Sequence, residues 1–154
     1  MTKEIERKFI VDRLPSADVL GHGSWLRQGY LAEESGVEVR IRLSEQGAVL
    51  TVKAGGGLVR TEVEVGIGAA AAEQLWPLTA ARRIDKQRHL VNLGTHTAEV
   101  DIYSGELDGL WIVEVEFESG EAAAAFAPPD WFGRELTGFS EWSNASLARN
   151  GRPG

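Results

Sequence analysis

The chain has 154 residues, 43% hydrophobic and 25% charged, and a net charge of −7 from 16 basic and 23 acidic residues. Its size and composition suit one globular domain, residues 1–154, with enough apolar material for a core. The acid excess argues against nucleic-acid binding, which calls for a basic surface. The lack of cysteine removes disulfides, thiolate catalysis and Cys-based zinc sites. No apolar run is long enough for a membrane-spanning helix and the N-terminus has no apolar signal core, so a cytoplasmic protein that meets no membrane is expected.

Residues 4–12 read as a strand. In EIERKFIV (4–11), Glu4, Glu6 and Lys8 share one face, and Ile5, Arg7 and Phe9 share the other. Arg7, on the apolar face, is expected to snorkel or pair away from the charged side. Residues 14–23 read as a connector with a short helical turn, and 24–34 as a second strand. Residues 36–67 hold three alternating strands, broken by hairpin turns at Glu45–Gly47 and Ala54–Gly57. The Ala-rich 68–78 predicts a helix ending before Pro77. Residues 81–93 and 96–107 form another strand pair, 109–119 a further strand, and 120–127 a helix stopped by Pro128 and Pro129. The C-terminal 141–151 predicts a helix with Ser143 or Asn144 as N-cap. Eight or so strands joined by tight turns predict an antiparallel barrel or sandwich, with two or three helices outside.

The charges decide between these. Glu38, Arg40 and Arg42 share a face, as do Thr51 and Lys53; Arg60, Glu62 and Glu64; Lys86 and Arg88; Glu99 and Asp101; and Glu114, Glu116 and Glu118. The opposite faces are β-branched or aromatic. Such a sheet either wets its charged face or closes with the charges inside. The signs are sorted by strand rather than mixed, as charges chosen for solubility are, and this favours the closed form. Grouped carboxylates bind hard cations such as Mg²⁺ or Mn²⁺, and Arg and Lys bind phosphate oxygens. Together they describe a site for a metal-bound polyphosphate. Enclosing the positive groups reconciles that site with the acidic net charge.

The ordered series of motifs resembles the CYTH family, also called triphosphate tunnel metalloenzymes. It runs from E-x-E-x-K (Glu4, Glu6, Lys8) through QGYL (28–31), VRIR (39–42), Lys53 and EVEV (62–65) to Lys86 and Arg88. It continues with EVDIYSGELDGL (99–110), EVEFES (114–119) and ELTG…WSNASLA (135–148). The resemblance implies a mainly β, α+β fold: an eight-stranded antiparallel closed barrel with a few helices packed outside. It implies action on a triphosphate-containing small molecule with Mg²⁺ or Mn²⁺. Inorganic triphosphatase is the first choice. Thiamine triphosphatase, class IV adenylyl cyclase and a non-catalytic binder of polyphosphate or nucleotide are the alternatives, and a homodimer is left open.

By the same resemblance Glu4, Glu6, Glu114 and Glu116 are metal ligands, Glu62 and Glu64 assist, and Asp101, with Glu99, serves the metal or pairs with the bases. Lys8, Arg40, Arg42, Lys53, Lys86 and Arg88 hold phosphates. Arg83 joins them, its neighbour Arg82 being the alternative. Glu4, Glu6, Lys8, Tyr30 and Lys86 form the catalytic set, in which Tyr30 works beside Lys86; a phenol with its pKa lowered by that lysine is one candidate base. Trp142 stands where the family commonly has tyrosine and is a candidate for ligand contact; the other tryptophans read as packing residues. AGGGL (54–58) lacks the Lys-Ser/Thr of a phosphate loop, and His22, His89 and His96 have no metal-ligand spacing.

Overall fold

The computed structural model describes residues 2–55 and 58–154. Gly56 and Gly57, in the expected 54–57 turn, lie outside the described residues. The period-two alternation folds into antiparallel strands β1 (Thr2–Val11), β2 (Ser24–Glu34), β3 (Val37–Ser44), β4 (Gly47–Ala54), β5 (Val59–Ile67), β6 (Arg83–Asn92), β7 (Thr97–Tyr103), β8 (Trp111–Glu116) and the short β9 (Phe132–Glu135). The order is β5-β4-β3-β2-β6-β7-β8-β1-β9, and β5 also pairs with β1. That pairing closes eight strands into a barrel, as expected. The ninth strand was not expected.

The first strand explains where β9 fits. Its early part, Thr2 to Ile5, pairs with Glu62 to Val59 of β5, and Glu6 to Ile10 pair with Glu116 to Ile112 of β8. Once β5 has run out, β9 takes the vacated edge: Leu136 N–H donates to the Lys8 carbonyl at 2.7 Å and Lys8 N–H to Thr137 Oγ1 at 2.9 Å. An unpaired edge inside the fold is thereby avoided.

The described residues form four short helices, α1 (Ala17–Leu20), α2 (Ala69–Leu75) and α3 (Gly120–Ala125) between strands and α4 (Asn144–Asn150) after the last one. Ser16, Ser119 and Ser143 cap α1, α3 and α4 through their hydroxyls. The helix expected to end before Pro77 stops at Leu75, and a 3-10 turn, Trp76–Thr79, carries the chain across the proline. This turn presses on β2 at Gly29, where an added Cβ would collide with the Thr79 side chain.

The apolar core lies largely outside the barrel. Phe9, Val11, Val100, Val113 and Val115 bury their outward faces against Ala123 of α3 and Phe132 of β9. A second cluster joins Ile84, Tyr103, Leu110 and Ile112 to Leu136, Trp142 and Leu147. Ile84 and Ile112 have the same strand parity as the tunnel charges Lys86 and Glu114. At this end the lining therefore turns apolar, and α4 packs onto it. The C-terminal helix thus covers an end of the tunnel, a different role from the expected outer packing.

Candidate active site

Strand register places the charges in the lumen. Lys8 faces Glu114 and Glu6 faces Glu116 across β1 and β8. Arg40 lies opposite Tyr30, Lys53 opposite Glu62 and Arg88 opposite Asp101. Of these, Glu6, Glu62, Glu114, Glu116, Arg40, Lys53 and Arg88 are among the residues that bound a cavity of about 180 Å³ lined by both signs of charge. A larger vestibule of about 560 Å³ opens between the β2–β3 turn and residues 136–149. The convergent charges are concentrated in the smaller cavity, so the chemistry belongs there.

One wall is acidic. Carboxylate oxygens of Glu4, Glu6 and Glu116 all lie within 4.8 Å of one another. Burial first, and Glu114 second, push the Glu6 carboxyl up to about 9; burial and Glu62 push Glu4 up to about 7. Their neighbours move the other way. Burial works against it, but a hydrogen bond from Glu4 and the Lys53 charge hold Glu62 down at about 2. Glu114 is likewise lowered against its burial, by Lys8 and by a hydrogen bond from Glu6. Glu6–Glu114 and Glu4–Glu62 therefore behave as proton-sharing pairs, each holding a proton that a divalent cation would displace. A small hard cation needs close oxygen ligands, and Glu4, Glu6 and Glu116 fit it.

The facing wall is basic. Lys53 Nζ sits 3.5 Å from Glu4 and 3.3 Å from Glu62, and Arg42 pairs with Glu64 at 3.1 Å. Arg88 donates to Asp101 at 2.8 and 2.9 Å and lies 3.4 Å from Glu99. Lys86 Nζ is 2.7 Å from Asp101, with neither side chain exposed; burial lowers its ammonium to about 8, although Asp101 opposes the shift. Arg40 differs from the rest. It is buried, its Nε has no hydrogen-bond partner, and the ion pairs within 4.0 Å among the described residues include none from it. A buried guanidinium without a carboxylate is a receptor for an anion. The Tyr30 hydroxyl and Thr51 Oγ1 are also buried without a partner.

Most residues expected at the site come together in the lumen, with four corrections. Arg83 points outward: it donates to Thr79 Oγ1 at 3.0 Å and the Trp76 carbonyl at 2.9 Å, and its guanidinium lies 4.5 Å from the Trp76 ring centroid. The parity of Lys86 already demanded this, since residues an odd number apart face opposite sides. Arg82 is no replacement, because it precedes β6 and donates to the Leu78 carbonyl. Asp101, expected among the metal ligands, has both oxygens engaged by Lys86 and Arg88, the other role open to it. Tyr30 is not a lowered phenol: burial raises it and outweighs the opposing charges of Arg40 and, less, Lys53. Trp142 is buried in the apolar cluster, and only its carbonyl turns to the site, accepting from Lys8 Nζ at 3.3 Å. Arg7 pairs outside the tunnel with Glu135 at 2.8 Å, as expected.

Three contributors were missed. Glu38 and Arg60, already on the charged faces of β3 and β5 but given no site role, pair at 3.3 Å and line the vestibule. Asn144, named as a possible cap and as part of the WSNASLA segment but given no site role, lines the tunnel cavity.

Comparison with known proteins agrees with this geometry. The CYTH domain model matches residues 2–141. A protein from Nitrosomonas europaea named inorganic triphosphatase is 43% identical over 148 residues, covering 94% of this chain and 96% of that protein. Another of the same name, from Acetivibrio thermocellus, is 37% identical over 155 residues, covering 97% and 96%. The crystal structure of the inorganic triphosphatase NE1496 superposes with a TM-score of 0.72 at 40% identity, covering 98% of this chain and 100% of that one. A charged lumen inside a closed antiparallel barrel, and a family match over most of the length, lead to one conclusion: the chain belongs to the CYTH domain family.

Proposed function

We propose that the chain is a metal-dependent inorganic triphosphatase, with residues 1–154 acting as one tunnel domain. The reaction adds water across a terminal phosphoanhydride of tripolyphosphate and yields pyrophosphate and orthophosphate. The observation that carries the reading is Arg40, a buried cation with no carboxylate partner among the described residues, across the lumen from three convergent carboxylates. The relatives named inorganic triphosphatase support the same activity.

Glu4, Glu6 and Glu116 hold Mg²⁺ or Mn²⁺, with Glu114 as the proton-sharing neighbour of Glu6. The bound ion supplies neutralisation of phosphate charge and a water made more acidic. Arg40, Arg42, Lys53 and Arg88 bind the non-bridging oxygens, and their fixed positions stabilise charge on the transferred phosphoryl group. Asp101 fixes Lys86 and Arg88 toward the chain of phosphates. Lys86, lowered to about 8 by burial, sits behind Asp101 with its side chain unexposed, at a pKa suited to moving a proton near neutral pH. Lys8, held by the Trp142 carbonyl, binds the end of the chain nearest the apolar plug.

The test is phosphate release from tripolyphosphate, ATP and thiamine triphosphate, each with Mg²⁺ and with Mn²⁺. Tripolyphosphate should be the preferred substrate. Preference for either organic triphosphate, or cyclic AMP from ATP, would replace this reading with one of its relatives.

A further inference from the structure

Twelve side chains among the described residues bound the tunnel cavity, and Asn144 is the one without charge. It does not come from a barrel strand. It is the first residue of α4, and the Ser143 hydroxyl before it caps the helix by accepting from Ser146 N–H at 3.1 Å. The end of the chain thus reaches into a wall otherwise built by the barrel.

The amide has a set orientation. Its Oδ1 accepts from the Tyr103 hydroxyl at 2.6 Å. Tyr103 is fully buried among Ile84, Leu110 and Ile112, and burial, followed by the charge of Asp101, keeps its phenol protonated and donating. A side-chain amide has one oxygen and one NH₂ group. With the oxygen committed to Tyr103, two N–H donors remain for the cavity. Two residues earlier, the Trp142 carbonyl accepts from Lys8, so the same stretch already places one cation of the phosphate wall.

We propose that Asn144 is a substrate-binding residue whose Nδ2 donates to a phosphate oxygen, and that Tyr103 is the positioning residue that orients its amide. This rests on the triphosphatase reading. A neutral donor does a job that another arginine would not. It bonds an oxygen without adding a positive charge beside the carboxylates that hold the metal. The chain of contacts also ties substrate to α4, so the helix that covers the tunnel end is part of the binding wall.

Asn144→Asp is the sharpest variant. It keeps the shape and the acceptor for Tyr103, replaces both donors by an anionic oxygen, and places an acid in the first turn of a helix, where it is favoured. Steady-state hydrolysis of tripolyphosphate at saturating Mg²⁺ should show KM raised by well over about tenfold in Asn144→Asp and by about tenfold in Asn144→Ala, the loss of one bond to a charged partner. The effect on kcat should be smaller, and thermal midpoints should stay near wild type. Tyr103→Phe should raise KM in the wild-type background and add little in Asn144→Ala. Unchanged KM in both Asn144 variants overturns the inference and leaves the triphosphatase reading standing. Absence of hydrolysis by the wild type removes both.

Discussion

Lys86 and Asp101 form an ion pair of 2.7 Å from which solvent is wholly excluded. The pair is asymmetric, because Asp101 is also held by Arg88 while Lys86 has no other carboxylate within 4.0 Å among the described residues. Removing the acid therefore leaves Lys86 buried without a carboxylate and Arg88 with Glu99 alone, and removing the lysine leaves an acid that is still paired. Asp101→Ala should cost about 3–5 kcal/mol of stability, the usual cost of an uncompensated buried charge. Lys86→Met should cost much less, yet lower kcat about 10²–10³-fold, as loss of a preorganised charge behind the phosphate wall does. Denaturant unfolding and kinetics on the two variants separate these effects.

Arg40 should trade stability for activity. Its guanidinium is buried with no carboxylate partner among the described residues, so a methionine of similar length removes an unpaired charge and keeps the packing. Arg40→Met should leave the thermal midpoint equal or higher and lower kcat/KM for tripolyphosphate by at least about 10²-fold. A destabilised but fully active variant would mean that the guanidinium serves the fold alone.

Stability should depend on pH in a direction set by Glu6. Its carboxyl is raised from 4.5 to about 9, by burial and then by Glu114. A group raised in the folded state contributes stability that is fully present below its unfolded pKa and lost as pH rises through the folded one. In the presence of chelator, the thermal midpoint should fall between pH 5 and 9, and Glu6→Gln should flatten that fall. Mg²⁺ or Mn²⁺ should restore the midpoint most at the alkaline end, where the ion need not displace a proton. A midpoint that stays level in chelator would contradict the shared-proton description of this wall.

Much of the barrel was legible because a strand shows its two faces as alternate letters. Glu4, Glu6 and Lys8 against Ile5, Arg7 and Phe9 announce a sided strand, and seven such strands with sorted signs announce an enclosed lumen. Parity also held the answer for Arg83, which shares a face with Asp85 and Gln87 and not with Lys86. Other features carry no local pattern. Strand β9 is four residues long, and pairing with an edge left open by β5 creates it. Asn144 reaches the lumen only because the apolar plug of Ile84, Ile112 and Trp142 draws the C-terminal segment across the tunnel end. Which of many lumen carboxylates meet is likewise a matter of three-dimensional closure: Glu4 and Glu6 are neighbours on one strand, but Glu116 joins them through the β1–β8 register.

Arg83 supplies an internal control. It stacks on Trp76 outside the barrel and donates to the 3-10 turn, so Arg83→Ala should cost about 1 kcal/mol from the lost cation–π contact and hydrogen bonds. KM and kcat for tripolyphosphate should stay within about twofold of wild type, as for a residue remote from the reacting groups. A large rise in KM would return Arg83 to the phosphate-binding set.

The most direct test of the account is phosphate release from tripolyphosphate by wild type and Glu6→Gln over a range of Mg²⁺ and Mn²⁺ concentrations. Metal-dependent hydrolysis by the wild type and a loss of at least about 10²-fold in the variant are expected. No hydrolysis by the wild type, or equal hydrolysis by a folded Glu6→Gln protein, would contradict the claim that the carboxylates and cations of this tunnel act together on a triphosphate.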